Sequence, residues 1–157
     1  MLITYTMENP QTTLLLEQKV LIHLLDFTKH RGKFESPSGV TVIGISRALH
    51  VHPRILPPIL EKLKSVKLVD EEWNWVVGCN AKKRVYYLTP TGVAEAKRIL
   101  EDLKNRSVKI RHGTREFDAK FCDINSLLGL NLRTVEILCY MTEDGYIDLN
   151  QRNKYRY

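Results

Sequence analysis

Three consecutive cations, Lys82, Lys83 and Arg84, follow the turn-forming run GCNA, and two tryptophans, Trp73 and Trp75, stand two residues apart just before it. Cations in a hairpin turn suit contact with phosphate oxygens. Residues two apart on a strand share a face. The tryptophans therefore either pack across the hairpin, with Tyr87 opposite, or form an aromatic surface for a partner. Upstream, HVHPRILPPILEKL (50–63) joins a His-x-His pair, which metals accept, to three prolines, which helices resist. The same stretch carries Arg54 and Lys62, cations that suit base edges and phosphates.

Other chemistries find little support. His50 and His52 would face different sides of a helix, and no Cys or carboxylate cluster lies near them in sequence. They read as turn residues or a substitute N-cap, and no metal or cofactor is expected. His23, inside an apolar helix, reads as an edge or satisfied core residue. Asp and Glu are scattered, and no Gly-rich phosphate loop or Ser/His/Asp or Cys/His spacing stands out, so catalysis is not expected. Cys79, Cys122 and Cys139 are odd in number and form no C-x-x-C, which reads as reduced thiols. No apolar run approaches the ~18 residues of a membrane span. The opening MLITYTMENPQ lacks a basic segment followed by an apolar stretch, so a cytoplasmic location is expected.

The elements that must position these residues follow from periodicity. TTLLLEQKVLIHLLDFTKH (12–30) predicts a helix buried over much of its girth, and RGKFESPSG (31–39) a loop. Thr41 reads as the N-cap of a helix to Leu49, with Ile43, Ile45, Ala48 and Leu49 inward. Leu56, Ile59, Leu60 and Leu63 keep helical spacing in the next helix, whose regular part is expected to start near Pro57. KLVDEEWNWVV (67–77) and VYYLT (85–89) predict two strands around a turn at 78–84. Thr89-Pro90 then starts a helix with Val93, Ala96, Ile99, Leu100 and Leu103 inward.

A second unit begins with a hairpin around His112–Gly113, followed by a short helix, a turn at Gly129, a helix from about Asn131 and a strand after Gly145. The expected organisation is thus a domain over 12–105, a small helix-turn-helix-like α+β unit over 106–150 and a flexible tail over 151–157. Ile45, Leu49, Val51, His52 and Arg54 match Ile124, Leu128, Leu130, Asn131 and Arg133 at constant offset, which suggests an internal repeat.

Charge narrows the partner. The formal net charge is +6, and residues 80–120 hold eleven Lys/Arg against five Asp/Glu, leaving thirteen against thirteen elsewhere. The whole excess is local, as a patch for a polyanion would be.

The run GISRALHVHPRILPPILEKLKSVKLVDE, continued by KKRVYYLTPTG, resembles the winged-helix module of archaeal transcriptional regulators of the broad MarR-like type. It is still more similar to the N-terminal module of some archaeal ATPases. The shared pieces are Gly44–Ile45, Ala48–Leu49, Leu63, Leu68–Val69 and the closing YLTPTG from Tyr87 to Gly92. The likeness covers about residues 14–104, and residues 108–149 more faintly resemble what often follows that module. No P-loop is present, so the ATPase portion is missing. The resemblance implies a mostly α fold with a little β: a winged helix-turn-helix of three helices and a two-stranded wing, with a further small C-terminal α+β unit. It implies binding of double-stranded DNA as a transcriptional regulator. Arg54 and Lys62 would lie on the exposed face of the third helix and Lys82, Lys83 and Arg84 on the wing. A homodimer is expected, because paired half-sites raise affinity. Pro57 and Pro58 depart from the pattern, since neither side chain can hydrogen-bond a base edge. The alternative is a winged-helix protein-interaction module using Trp73 and Trp75, without sequence-specific DNA binding.

Overall fold

Prolines at 53, 57 and 58 decide where the third helix begins. In the computed structural model, which describes residues 14–142 and 145–150, Pro53–Ile55 forms a single 3₁₀ turn and the regular helix runs Leu56–Ser65. Pro57 and Pro58 fall in its first turn, where backbone N–H groups lack helical partners anyway. His52 caps the 3₁₀ turn: its Nδ1 accepts the Arg54 N–H at 3.1 Å. His50 closes the preceding helix in the left-handed conformation, φ 57°. Both histidines thus have the turn and cap roles their spacing suggested.

The chain is a mixed α+β protein with two small three-stranded sheets, and it divides into two compact units at Leu100/Glu101. The first contains α1 (Leu16–Leu25), β1 (Glu35–Ser36), α2 (Val42–Leu49), α3 (Leu56–Ser65), β2 (Val69–Val76), β3 (Lys82–Leu88) and the start of α4 (Pro90–Lys104). Val20, Leu21 and Leu24 of α1, Ile45 and Leu49 of α2, Leu56, Leu60 and Leu63 of α3, and Val85 and Tyr87 of β3 are its buried core. Each such aliphatic side chain is worth about 1.5–3 kcal/mol of burial. His23 is buried on α1 and satisfied, with its Nε2 2.8 Å from the Gly39 carbonyl oxygen.

Two differences from the sequence reading matter. The stretch 31–39 is not wholly loop: β1 pairs in parallel with β2, Glu35 opposite Trp75 and Ser36 opposite Val76, so the hairpin belongs to a three-stranded sheet ordered β1-β2-β3. What fixes β1 is polar. The buried Ser36 Oγ accepts from the Tyr87 hydroxyl at 2.8 Å and from Asn74 Nδ2 at 3.0 Å. Arg31, just ahead, bridges Asp70 at 2.9 Å and Glu72 at 2.6 Å. The second difference is Ile43, expected inward but 47% exposed.

One device starts two helices. Thr41 Oγ accepts from the Gly44 N–H (3.0 Å) and donates to the Ser38 carbonyl (2.7 Å). Thr89 Oγ accepts from the Gly92 N–H (2.9 Å) and donates to the Lys67 carbonyl (2.7 Å). A Cβ on Gly44 would stand 1.9 Å from the Ser38 oxygen, and one on Gly92 2.0 Å from the Leu68 oxygen. The T-x-x-G spacing is therefore a cap fused to a close backbone approach.

The second unit holds β4 (Ser107–His112), β5 (Arg115–Lys120), α5 (Ile124–Leu128), α6 (Thr134–Leu138) and β6 (Tyr146–Asp148), with sheet order β5-β4-β6 and β6 parallel to β4. His112 pairs with Arg115, so the two-residue turn is Gly113–Thr114, one residue later than expected. The second helix begins at Thr134 because Asn125 grips the Leu132 backbone, Oδ1 to N–H and Nδ2 to the carbonyl, and holds the chain out of helix. At the suggested repeat offset, Gly129 matches His50 in left-handed conformation. The Leu130 N–H to Asn125 carbonyl bond likewise matches that from Val51 to Ser46. The expected tail 151–157, and residues 12–13 at the start of the first domain, lie outside the described residues.

Candidate nucleic-acid interface

Register places the hairpin's chemistry. Trp73 lies opposite Arg84, Asn74 opposite Lys83 and Trp75 opposite Lys82. Alternation then sets Trp73, Trp75, Lys82 and Arg84 on one face, and Lys83 with Asn74 on the other. The three cations are not in the turn: they open β3, the outer strand of the sheet, and all are exposed. Tyr87 is opposite Asp70 rather than a tryptophan, and it is buried. Both tryptophans remain open, Trp73 at 62% and Trp75 at 37% exposure. The Arg84 guanidinium is 5.5 Å from the Trp73 ring and the Lys82 ammonium 5.8 Å from the Trp75 ring, within cation–π reach.

A groove of about 520 Å³ lies between the start of α2 and this hairpin. Arg47, Lys82, Lys83 and Arg84 line it together with Ile43 and Trp73, and no carboxylate does. Arg47 and Ile43 were missed by the sequence reading. They sit one helical turn apart, and reading Ile43 as core concealed the exposed stripe they make. Arg84 also pairs loosely with Glu71 Oε2 at 3.8 Å, while the other oxygen of that carboxylate, Oε1, takes the Tyr86 hydroxyl at 3.0 Å and Lys64 at 3.2 Å. Burial pushes Glu71 up in pKa, yet these donors outweigh it and hold the carboxyl below its ordinary value. Burial first, then the Glu71 hydrogen bond, raises the Tyr86 hydroxyl to about 12.

The third helix is chemically poorer. Pro57, Pro58, Glu61 and Lys62 are exposed along it. Lys62 forms an ion pair with Glu17 of α1 at 2.8 Å, which draws the Glu17 carboxyl below its usual pKa. Arg54 is exposed but belongs to the 3₁₀ turn ahead of α3, not to the helix. The structure thus gathers Lys82, Lys83 and Arg84 with Arg47, and leaves Arg54 and Lys62 outside that groove's lining. Among the described residues, no group of three or more His, Cys, Asp or Glu could hold a metal ion, and no helix is long and apolar enough to cross a membrane. No protein-family model, curated protein or solved structure matches this chain.

Proposed function

We propose that this chain is a winged helix-turn-helix protein of the transcriptional-regulator type that grips duplex DNA by its backbone through the β2–β3 hairpin. The element order α1-β1-α2-α3-β2-β3 supports the fold reading. The observation that carries the function is the carboxylate-free groove with four cations, beside an exposed basic edge strand. Phosphate contact is the chemistry such a surface does best. Base readout is a minor part of the reading, because the Pro57 and Pro58 side chains on α3 offer no hydrogen-bonding atom and Arg54 lies in the turn ahead of that helix. A homodimer would present two such surfaces to one duplex.

The test is a salt titration. Four phosphate contacts give log K against log salt a slope of about −3.6, or about a hundredfold weaker binding between 50 and 200 mM salt. Lys82→Ala/Lys83→Ala/Arg84→Ala should flatten the slope to about −1, leaving Arg47. Fluorescence anisotropy with random-sequence and genomic duplexes reads both. Affinity independent of salt, or a triple variant with an unchanged slope, refutes the proposal. A second reading, a protein-interaction module, draws on the exposed Trp73 ring. It predicts no duplex binding and a homo- or hetero-complex lost in Trp73→Ala.

A further inference from the structure

A tryptophan left 62% exposed is uncommon, and here a cation on the neighbouring strand stands opposite each of the two tryptophans. We infer that Trp73 and Trp75 form a stacking platform for the bases of an unpaired nucleic-acid strand, with Lys82 and Arg84, which share their face, on its phosphates. This rests on the reading of the hairpin as a phosphate-binding surface and adds to duplex a second ligand, an unpaired strand, that the same surface holds more tightly.

Spacing supports an open strand. Residues two apart on a β-strand are about 6.7 Å apart, whereas stacked bases in a duplex rise ~3.4 Å per step on each strand. A base on each ring therefore belongs to a strand splayed to about twice the duplex rise. Paired bases also hide their faces within the stack, so only an unpaired strand offers them to an indole. Aromatic rings interleaved with cations are how proteins hold single strands without regard to sequence.

Charge argues against a second copy of this chain as the occupant. A two-fold contact through this face would set the patch holding Lys82 and Arg84 against its own copy and strip both cations of water. Two carboxylates stand near the tryptophans on the sheet: Glu35, opposite Trp75 on the β1 side, and Glu71, two residues before Trp73 and 3.8 Å from Arg84. The strand's path accordingly follows β3, where the groove lining carries no acid.

The experiment compares a fluorescent oligothymidylate of about twelve nucleotides with its matched duplex at one salt concentration. Anisotropy and tryptophan emission are followed for wild type, Trp73→Ala, Trp73→Phe and the triple cation variant, each checked for its fold by circular dichroism. The single strand should bind more tightly than the duplex and quench the tryptophan emission. Trp73→Ala should weaken oligothymidylate binding roughly ten- to hundredfold and duplex binding by a clearly smaller factor. Trp73→Phe should restore most of the loss, and the triple variant should weaken both ligands. If Trp73→Ala weakens both ligands equally or neither, with salt-dependent binding intact, the platform is refuted and the phosphate reading stands. If Trp73→Ala instead splits a dimer seen by light scattering, the rings serve a protein contact and the inference fails. If neither ligand binds in a salt-dependent way, both readings fall together.

Discussion

Gly92→Ala separates a packed helix start from a merely flexible one. In an exposed helix, replacing Gly by Ala stabilises by about 0.8–1 kcal/mol. Here the new Cβ would lie 2.0 Å from the Leu68 carbonyl oxygen and 2.9 Å from its carbon. A carbon–oxygen contact wants about 3.3 Å, so two backbone segments must part by more than an ångström. That displacement strains the Thr89 N–H bond to Leu68 at 3.0 Å and the Thr89 hydroxyl bond to Lys67 at 2.7 Å. Two hydrogen bonds at about 0.5–1.5 kcal/mol each, with about 1–3 kcal/mol for overpacking, outweigh the propensity gain and leave about 3 kcal/mol of net destabilisation. Both tryptophans lie on β2, so their fluorescence during urea unfolding reports this unit. Gly78→Ala is the control: its Cβ meets nothing within 4 Å, and only its φ of +83° is penalised, by about 1–2 kcal/mol. A Gly92→Ala protein as stable as wild type, or more so, refutes the close-approach account.

Ser36→Ala should cost about 1–3 kcal/mol by urea unfolding, because it leaves the buried Tyr87 hydroxyl without its acceptor. Adding Tyr87→Phe should recover part of that loss, and strictly additive losses would contradict the pairing. Tyr86 carries a folded-state pKa of about 12 against an ordinary value near 10. The folded state therefore keeps a proton the unfolded chain sheds. That contribution is complete below pH 10 and fades as pH climbs towards 12, so Tyr86→Phe should show a smaller drop in stability between pH 9 and 11 than wild type. An equal drop would mean Tyr86 is not the titrating group. Lys62→Ala should change duplex affinity far less than Lys83→Ala in the anisotropy assay, because Lys62 already has Glu17 as its counter-ion. The reverse order would return the main contact to α3.

Patterning made much of the first unit legible. Apolar spacing located α1 to α4, and the pyrrolidine chemistry of Pro57 and Pro58 put the regular helix one residue from where it begins. Short polar elements were not legible. β1 has no apolar alternation; it exists because Asn74 and Tyr87, far away in sequence, both donate to Ser36. The cations were correctly located along the chain but assigned to a turn, since Lys-Lys-Arg carries no strand signature apart from its partners on β2. Arg47 escaped notice because joining it to the hairpin cations needs tertiary packing, which a helical wheel does not contain.

The threonine–glycine lock at the foot of the hairpin has a practical corollary. Leu68 is tied to Thr89 and Val69 to Leu88 at the base, whereas the tip at Gly78 has open space around it. Doubling a flexible loop's length adds only about 0.6 kcal/mol of closure entropy. Residues inserted after Gly78 would therefore lengthen the arm at slight expense to the body beneath it, making its reach a dial that an engineer could turn.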